Sequence, residues 1–336
     1  MKPGKQSISL VSVALCLLMT ARCSQDTRFT SNVLKSDVFT QLSANSQYDF
    51  LWVLDNSNSM IPVRTQVVDN LNIFLQILNS RKAIDYRMAA TTTDYISHAG
   101  ALVSNTNGLR VVTSGSVDPI GDFASIVNNV QNTATSFWEQ GLESAYKAVQ
   151  NQGSLFMRTG VPLIVIFLTD EDDYSCQANC FGEEPETNPN DVVYPTSRYI
   201  NFFKDGLAAG GTSVMMFPIV GDPETSSCTP YSYGLRYMEV QTALESGQSG
   251  SICPAEVMES YNNIARVIAD LGVRFPLSNQ ASGSNIAVYV DNVEIPYSED
   301  DGYVYEASTN SIVFTGNSIP QNGQTIEILY TEQTGA

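Results

Sequence analysis

The sequence predicts an α/β fold, a doubly wound and mostly parallel sheet, followed by a small all-β domain. Near-continuous apolar runs, at residues 48–54 and 161–168, are typical of central strands that are buried on both faces. These runs alternate with segments of helical periodicity as far as residue 275, as in parallel sheets covered by helices. Beyond residue 276, short stretches with alternating apolar residues are separated by turn residues, as in all-β domains.

The predicted elements of the first domain, residues 47–275, follow one another as strand and helix. After the strand at 48–54, residues 61–78 form a helix whose apolar residues, among them Leu71 and Leu78, share one face. Further strands are predicted at 86–93, 109–113, 161–168 and 213–220, and further helices at 123–130, 137–149, 197–209 and 257–271. The irregular stretch 174–195 is predicted to be functional, since long loops in compact domains often are.

The second domain is predicted over residues 276–336 and is β-sandwich-like. Its strands are expected at 286–293, 311–314 and 325–330, with Asp301-Gly302 marking one of the turns between them. Residues 23–46, ahead of the first domain, are polar and show little periodicity, which predicts a lead-in or tether.

The first 22 residues have the pattern of a signal peptide. Lys2 and Lys5 precede an apolar run over residues 8–21 that is too short to span a bilayer as an ordinary helix. Cys23 stands where a bacterial lipoprotein carries its lipidated cysteine, but Arg22 departs from the small residue usual there. The sequence therefore predicts export, and leaves open a lipoprotein of the outer membrane or cell surface and a periplasmic or secreted form.

The acidic composition bears on the partners. The chain of 336 residues has a formal net charge of −18, so it repels nucleic-acid phosphates and anionic membrane surfaces. We expect no nucleic-acid partner, and membrane contact only through a lipid anchor. Divalent cations and basic partners remain compatible with this charge.

Four cysteines lie in the predicted folded part. An even number in an exported chain suggests disulfides, and proximity in sequence favours the pairs Cys176–Cys180 and Cys228–Cys253. A metal site is the alternative, but the spacing lacks paired C-x-x-C units and the only histidine, His98, is far away in sequence.

Oxygen-bearing side chains follow two of the predicted strands. Asp55, Ser57 and Ser59 occupy alternate positions after the first strand, so all three can turn to the same side of a tight loop. Thr169 and Asp170 follow the most apolar strand. Ligands of open parallel sheets collect outside the carboxyl ends of the strands, so we expect these two loops to meet there. Such hard oxygen ligands suit Mg²⁺ or Mn²⁺.

This pattern resembles the metal-ion-dependent adhesion site of von Willebrand factor A domains and integrin I domains, over residues 47–275. Asp55-x-Ser57-x-Ser59 corresponds to the first element of that site, and Asp170 to its distant aspartate. The resemblance implies a third element, a threonine before a helix. Counting back from Leu142 places Ser136 there, with Thr135 and Thr133 as alternatives. The overall texture is similar to exported bacterial members that carry a small β-domain after the A domain.

The resemblance also implies a function. Few direct carboxylates leave the ion electrophilic, and one open coordination position accepts an Asp or Glu from a protein ligand. The sequence is thus expected to encode a metal-dependent adhesin of the cell envelope. The alternative is a structural or assembly subunit of an envelope complex that uses the same domain as a scaffold.

Enzyme functions are disfavoured by what the sequence lacks. His98 is the only histidine, no serine lies in a G-x-S-x-G elbow, and there is no phosphate-binding loop. The further acids of the second loop, Asp172 and Asp173, are expected to be solvated charges.

Overall fold

The computed structural model describes residues 33–41, 47–130, 138–176, 193–321 and 323–333. Within them lie a six-stranded, mostly parallel sheet with helices on both faces and two smaller antiparallel sheets, which confirms the predicted fold class. The strands are β1 (Leu34–Thr40), β2 (Gln47–Leu54), β3 (Asp85–Thr92), β4 (Val112–Thr113), β5 (Leu163–Leu168), β6 (Val214–Val220), β7 (Gly250–Ser251), β8 (Arg274–Pro276), β9 (Ala287–Val290), β10 (Val293–Ile295), β11 (Gly302–Glu306), β12 (Ser311–Thr315) and β13 (Thr325–Thr331).

Eight α-helical segments accompany these strands in the described residues. They are α1 (Ile61–Leu78), α2 (Tyr95–His98), α3 (Pro119–Asn128), α4 (Gly141–Phe156), α5 (Ser197–Ile200), α6 (Leu207–Ala209), α7 (Leu235–Leu244) and α8 (Val257–Asp270). A π-helical turn, Asn201–Gly206, joins α5 to α6, and a 3₁₀ turn, Gly316–Ser318, follows β12. No helix in this described part is both long and apolar enough to cross a membrane.

The large sheet has the strand order β4-β3-β2-β5-β6-β7. All its neighbours are parallel except the short β4, which runs antiparallel to β3. The chain passes from β2 to β3 on one side and later returns to β5 on the other side of β2. The loops after β2 and β5 therefore leave the carboxyl edge of the sheet at a topological switch point, where ligands of this fold class bind.

Strand β2 is the centre of the molecule because its two faces enter two different cores. Trp52 and Leu54 pack with residues of α1, α3 and α8. Leu51 and Val53 point to the opposite face and pack with residues of α4, α5 and α7. All four side chains are fully buried. The near-continuous apolar run is thus what a strand covered on both sides requires.

Several elements differ from the sequence-based expectation. The strand predicted at 109–113 is only β4, and α3 begins earlier than predicted because Asp118 caps it by accepting a hydrogen bond from the Gly121 amide. Helix α4 begins at Gly141 and extends past the predicted end at residue 149 to Phe156. Helix α7 was not predicted. It buries Tyr237, Val240 and Leu244 at helical spacing, but the exposed Leu235 lies off this face and weakens the periodicity in the sequence.

The two smaller sheets form a sandwich-like unit. Their strand orders are β1-β13-β9-β10 and β11-β12-β8. They share one apolar cluster, to which Val288 and Ile326 contribute from the first sheet and Phe275 and Phe314 from the second. Strand β8 crosses the domain boundary that was expected between residues 275 and 276, and it pairs with β12. Residues 274 and 275, which were assigned to the first domain, therefore belong to this unit.

The prediction of a tether over residues 23–46 is wrong for Leu34–Thr40. These residues form β1, which pairs antiparallel with β13 along its whole length, from Leu34 opposite Thr331 to Thr40 opposite Thr325. The pairing partner lies almost 300 residues away in sequence, and β1 is a sheet edge with alternating half-exposed residues. The other residues of the predicted tether, like those of the signal peptide at 1–22, lie outside the described part.

Ion pairs join the two units. Asp270, at the end of α8, binds Arg274 at 2.8 Å and Arg81 at 3.1 Å. Arg274 in turn binds Glu306 of β11. The side-chain Nε2 of Gln41, after β1, donates to the Gly272 carbonyl at 2.6 Å. The end of the last helix is therefore held by both units.

Candidate metal site

The loop after β2 is organised around Asp55. This residue is completely buried, and its amide continues the sheet by donating to the Leu168 carbonyl at 3.0 Å. Its Oδ1 accepts the Ser57 amide at 2.7 Å, which closes the turn. Its Oδ2 accepts the Thr169 hydroxyl at 2.8 Å. One carboxylate thus ties the loop after β2 to the loop after β5.

The two serines of the motif lie on the same side of this turn. Their hydroxyl oxygens are 2.9 Å apart, and the Ser59 hydroxyl donates to Oδ1 of Asp170 at 3.2 Å. A chain of contacts therefore runs from Ser57 through Ser59 to Asp170, beside the Asp55 carboxylate. The structure brings these four sequence-derived residues together, and their role as metal ligands stays a prediction.

Arg64 stabilises the backbone of the loop after β2. It lies on the first turn of α1 with only 6% of its surface exposed. Its Nη1 donates to the carbonyl oxygens of Asp55 and Ser57, the second at 3.1 Å. The guanidinium therefore orients the backbone of the motif, and neither contact engages a carboxylate.

The third predicted element lies outside the described residues. Ser136 and its alternatives, Thr135 and Thr133, all fall in the stretch 131–137. The helix expected after them is present as α4, which begins at Gly141. The assignment of the hydroxyl ligand stays a prediction.

The surroundings of the carboxyl groups at this edge of the sheet disfavour their charged forms. Burial raises the pKa of Asp55, although hydrogen bonds from Ser57 and Thr169 oppose the shift. Burial and repulsion by Asp55 raise the pKa of Asp170. Burial, together with repulsion by Asp55 and Asp170, raises the pKa of Glu171 to about 8. A bound cation would offset this crowding of buried acids.

Glu139 belongs to this acidic edge, and the sequence analysis missed it. It lies just before α4 with 3% of its surface exposed, and its Oε2 has no hydrogen-bond partner among the described residues. Burial, and then repulsion by Asp55, raise its pKa well above the usual range for a carboxyl group. In the sequence it is one acid within the helix predicted at 137–149, so no local pattern distinguished it from a solvated helix charge.

The donor set fits a hard divalent cation. The side chains that meet here offer carboxylate and hydroxyl oxygens, which Mg²⁺ and Mn²⁺ prefer. An orphaned buried carboxylate oxygen, on Glu139, is what a cation site without its ion would contain. Across the described residues, no three acidic, histidine or cysteine side chains are close enough to hold an ion by themselves. The ion would therefore rely on hydroxyls and water beside Asp55 and Asp170.

The acids that continue the second loop are structural. Asp173 is fully buried, binds Arg236 at 3.2 Å and accepts the Leu142 amide at the start of α4 at 2.9 Å. Asp172 accepts the amides of Asp173 and Arg236, and burial raises its pKa to about 6. The expectation that both are solvated charges is wrong, because they fasten this loop to α4 and α7.

A neighbouring loop completes the rim. Ser232 donates its amide to the Asp170 carbonyl at 3.1 Å, and its hydroxyl accepts the Asp172 amide at 2.7 Å. Tyr231 beside it is 80% exposed. The disulfide Cys228–Cys253, which was predicted, anchors the start of this loop. The rim next to Asp170 is therefore a covalently anchored loop that presents an aromatic side chain.

The second predicted disulfide involves one described residue. Cys176 is buried and disulfide-bonded, and it follows the acidic loop in an isolated bridge with Val193. Its predicted partner, Cys180, lies outside the described residues, so the pair Cys176–Cys180 stays a prediction.

The similarities of this chain to known proteins are weak and lie in structure alone. No protein-family model matches the sequence, and no curated protein does either. Among solved structures, the pilus adhesin SpaC from Lactobacillus rhamnosus GG in its open conformation is 13% identical, with a TM-score of 0.44. The match covers 88% of this chain and 40% of SpaC, so this chain spans less than half of that protein's length.

Two further solved structures are similar. The PilB minor pilin from Streptococcus sanguinis is 12% identical over 68% of this chain and 63% of its own, with a TM-score of 0.40. The ArnB paralog VWA2 from Sulfolobus acidocaldarius is 9% identical over 90% of this chain and 67% of its own, with a TM-score of 0.35. At such low sequence identities and TM-scores, these similarities do not indicate a function for this chain.

Proposed function

We propose that this chain is an exported binding protein that recognises a protein ligand through Mg²⁺ or Mn²⁺ at the carboxyl edge of its large sheet. The observation that supports it most is the chain of contacts that joins Asp55, Ser57, Ser59 and Asp170 across two loops. In the resemblance to von Willebrand factor A domains, these residues hold the ion together with a hydroxyl group, here assigned to Ser136, with Thr135 or Thr133 as alternatives.

Asp55 is fully buried, Asp170 is half-buried, and the two carboxylates repel each other. A divalent cation between them would stabilise their charged forms. With few protein carboxylates, the ion keeps waters in its shell. When bound, it supplies an electrophilic position at which a partner's Asp or Glu replaces one water.

The partner chemistry follows from this position. A carboxylate that reaches the ion is attracted even though the chain as a whole carries a net charge of −18. The proposed ligand is therefore a protein that presents an exposed Asp or Glu, and nucleic acid is not a partner. The proposed role is binding, with no catalytic step.

The proposed location follows from the first residues of the sequence. A signal peptide over residues 1–22 directs export. Cys23 then provides either a lipid anchor, which places the protein at the outer membrane or cell surface, or an unmodified start of a periplasmic or secreted protein. Contact with the membrane is limited to such an anchor.

The proposal can be tested without knowing the natural ligand. Protein loaded with Mn²⁺ is titrated with a short aspartate-containing peptide while the relaxation rate of water protons is measured. If a carboxylate enters the coordination shell, a metal-bound water is lost and the relaxation enhancement falls. The same peptide with asparagine is the control. An equal response to both peptides would contradict the proposal.

A structural or assembly role is the second candidate, and the small sheets favour it. The edge strand β1 exposes Leu34 at 68% and Val38 at 63%, and β10 at the opposite edge exposes Val293 at 64%. Exposed apolar edge strands are templates for pairing with another chain. Protease treatment of intact cells distinguishes the two roles: cleavage at the surface supports the adhesin, and protection inside the envelope supports the assembly subunit.

A further inference from the structure

Glu139 occupies a fixed position at the junction of three loops. Its carbonyl accepts the Tyr174 amide at 2.7 Å, and the next amide, of Gln140, donates to the Thr93 carbonyl at 2.9 Å. These contacts hold the residue between the end of β3, the loop after β5 and the start of α4. Its backbone is therefore positioned by the same edge of the sheet that carries Asp55 and Asp170.

The Glu139 side chain is buried with one of its two carboxylate oxygens unsatisfied. Its surface is 3% exposed, and Oε2 accepts no hydrogen bond from the described residues. Leaving a buried polar atom unsatisfied is costly, and more so when the group is charged. Four residues later, in the first turn of α4, Glu143 is similarly buried but binds Arg198 at 3.1 Å and Tyr199 at 3.0 Å. This neighbouring residue shows how a purely structural acid is satisfied.

The charges around Glu139 act against its charged form. Burial, and then repulsion by Asp55, raise the pKa of its carboxyl group, while a hydrogen bond with the Thr93 side chain opposes the shift. Arg64 attracts Glu139 electrostatically, and two contacts of that guanidinium go to backbone carbonyls of the motif loop. A divalent cation beside Asp55 would add positive charge next to this carboxylate.

We propose that Glu139 is a further acidic residue of the cation site, outside the D-x-S-x-S pattern, and that it accepts a hydrogen bond from a water bound to the ion. This inference rests on the proposed function. A water between Glu139 and the ion agrees with the finding that no three acidic side chains among the described residues are close enough to hold an ion by themselves. Groups that bind metal-bound water tune both the affinity for the ion and its charge.

The additional acid has a consequence for ligand choice. A third carboxylate strengthens the attraction for the cation, but it also lowers the positive potential that a partner's carboxylate meets at the open position. Glu139 is expected to favour metal retention at the expense of carboxylate affinity. A merely structural residue would not change these two affinities in opposite directions.

The test uses Mn²⁺ titrations followed by electron paramagnetic resonance on four full-length proteins. They are the wild type, Glu139→Gln, the matched control Glu143→Gln and the reference Asp170→Asn. Glu139→Gln should weaken Mn²⁺ binding about tenfold, as loss of a group behind a metal ligand does. Once loaded with Mn²⁺, it should bind the aspartate peptide more tightly than the wild type. Glu143→Gln should retain wild-type affinity for Mn²⁺.

The outcomes separate this inference from the proposed function. If the wild type binds Mn²⁺, Asp170→Asn does not, and Glu139→Gln binds as the wild type does, then Glu139 has no role and the site stands. If the wild type itself binds no Mn²⁺, both are wrong. Thermal unfolding without metal gives a second readout. Glu139→Gln should be as stable as the wild type or more so, and loss of its fold would contradict the inference.

Discussion

The two ends of strand β2 bury acids in opposite ways. At its start, Asp49 is 1% exposed and accepts the backbone amide of Arg158 at 2.6 Å and the Arg158 Nε at 2.9 Å. Asp85 receives the same guanidinium at 2.7 Å. At its end, Asp55 is fully buried and accepts hydrogen bonds from Ser57 and Thr169, but within the described residues it forms no ion pair.

This difference teaches which acids the fold itself requires. Folding neutralises Asp49 with a cation from the same chain, since a buried charge without a partner is costly. Burial raises the pKa of Asp49, but the charges that act on it are cations. At the other end, Asp55 lies among Glu139, Asp170 and Glu171, and their pKa values are raised by burial and, in addition, by repulsion from Asp55. Sites that break the rules of stable folding are commonly functional. The unpaired end is therefore the end at which we expect a ligand.

The largest expected effect comes from breaking the paired end. Arg158→Met leaves Asp49 buried without its cation, and removal of one partner of a buried pair costs about 3–5 kcal/mol. Denaturation with urea measures the loss, and Mg²⁺ should not reverse it because the pair is remote from the carboxyl edge. Arg87→Met is the control, since Arg87 only interacts electrostatically with Asp49 over a longer range. Equal losses in both variants would contradict this interpretation of the paired end.

A smaller effect is expected from the disulfide that anchors the rim. Replacing Cys228 and Cys253 together by serine removes a cross-link across 25 residues, which is worth about 2–4 kcal/mol. Because the anchored loop contacts Asp170 through Ser232, metal affinity should fall as well. Thermal unfolding and metal titration measure the two effects. A loss of stability with unchanged metal affinity would show that the rim does not position Asp170.

The smallest effect is expected from neutralising an acid at the unpaired end. Without metal, Asp170→Asn should change the free energy of unfolding by less than about 1 kcal/mol, and in the stabilising direction, because it removes repulsion with Asp55. With Mg²⁺ at about 100 times its Kd, the wild type should gain about 2.7 kcal/mol and the variant nothing. A large loss in the metal-free variant would mean that Asp170 is structural, like Asp49.

The sequence predicts the D-x-S-x-S part of this site better than it predicts Glu139. Asp55, Ser57 and Ser59 can be recognised because they are closely spaced and follow an apolar run. The sheet topology then brings Asp170 beside them. The burial of Glu139 depends on three loops that are distant in sequence, so no local pattern reveals it. The same holds for the pairing of β1 with β13. These strands are far apart in sequence, so no hairpin turn between them indicates that they pair.

The helices also show that a sequence reveals local periodicity better than long-range packing. Helix α1 was predicted within its observed bounds because its apolar face is continuous, and α8 likewise ends within one residue of the prediction. Helix α7 was missed, and with it the contact of Arg236 with Asp173 that fastens the second loop. Local periodicity therefore predicts the framework, and long-range packing decides which acids are satisfied.

Binding of a divalent cation by the unpaired acids at the end of β2 can be measured by calorimetric titration of the chain with Mg²⁺ and Mn²⁺, beside Asp170→Asn. We expect saturable binding of one ion by the wild type and none by the variant. Absence of binding in the wild type, or equal binding by both proteins, would contradict this expectation.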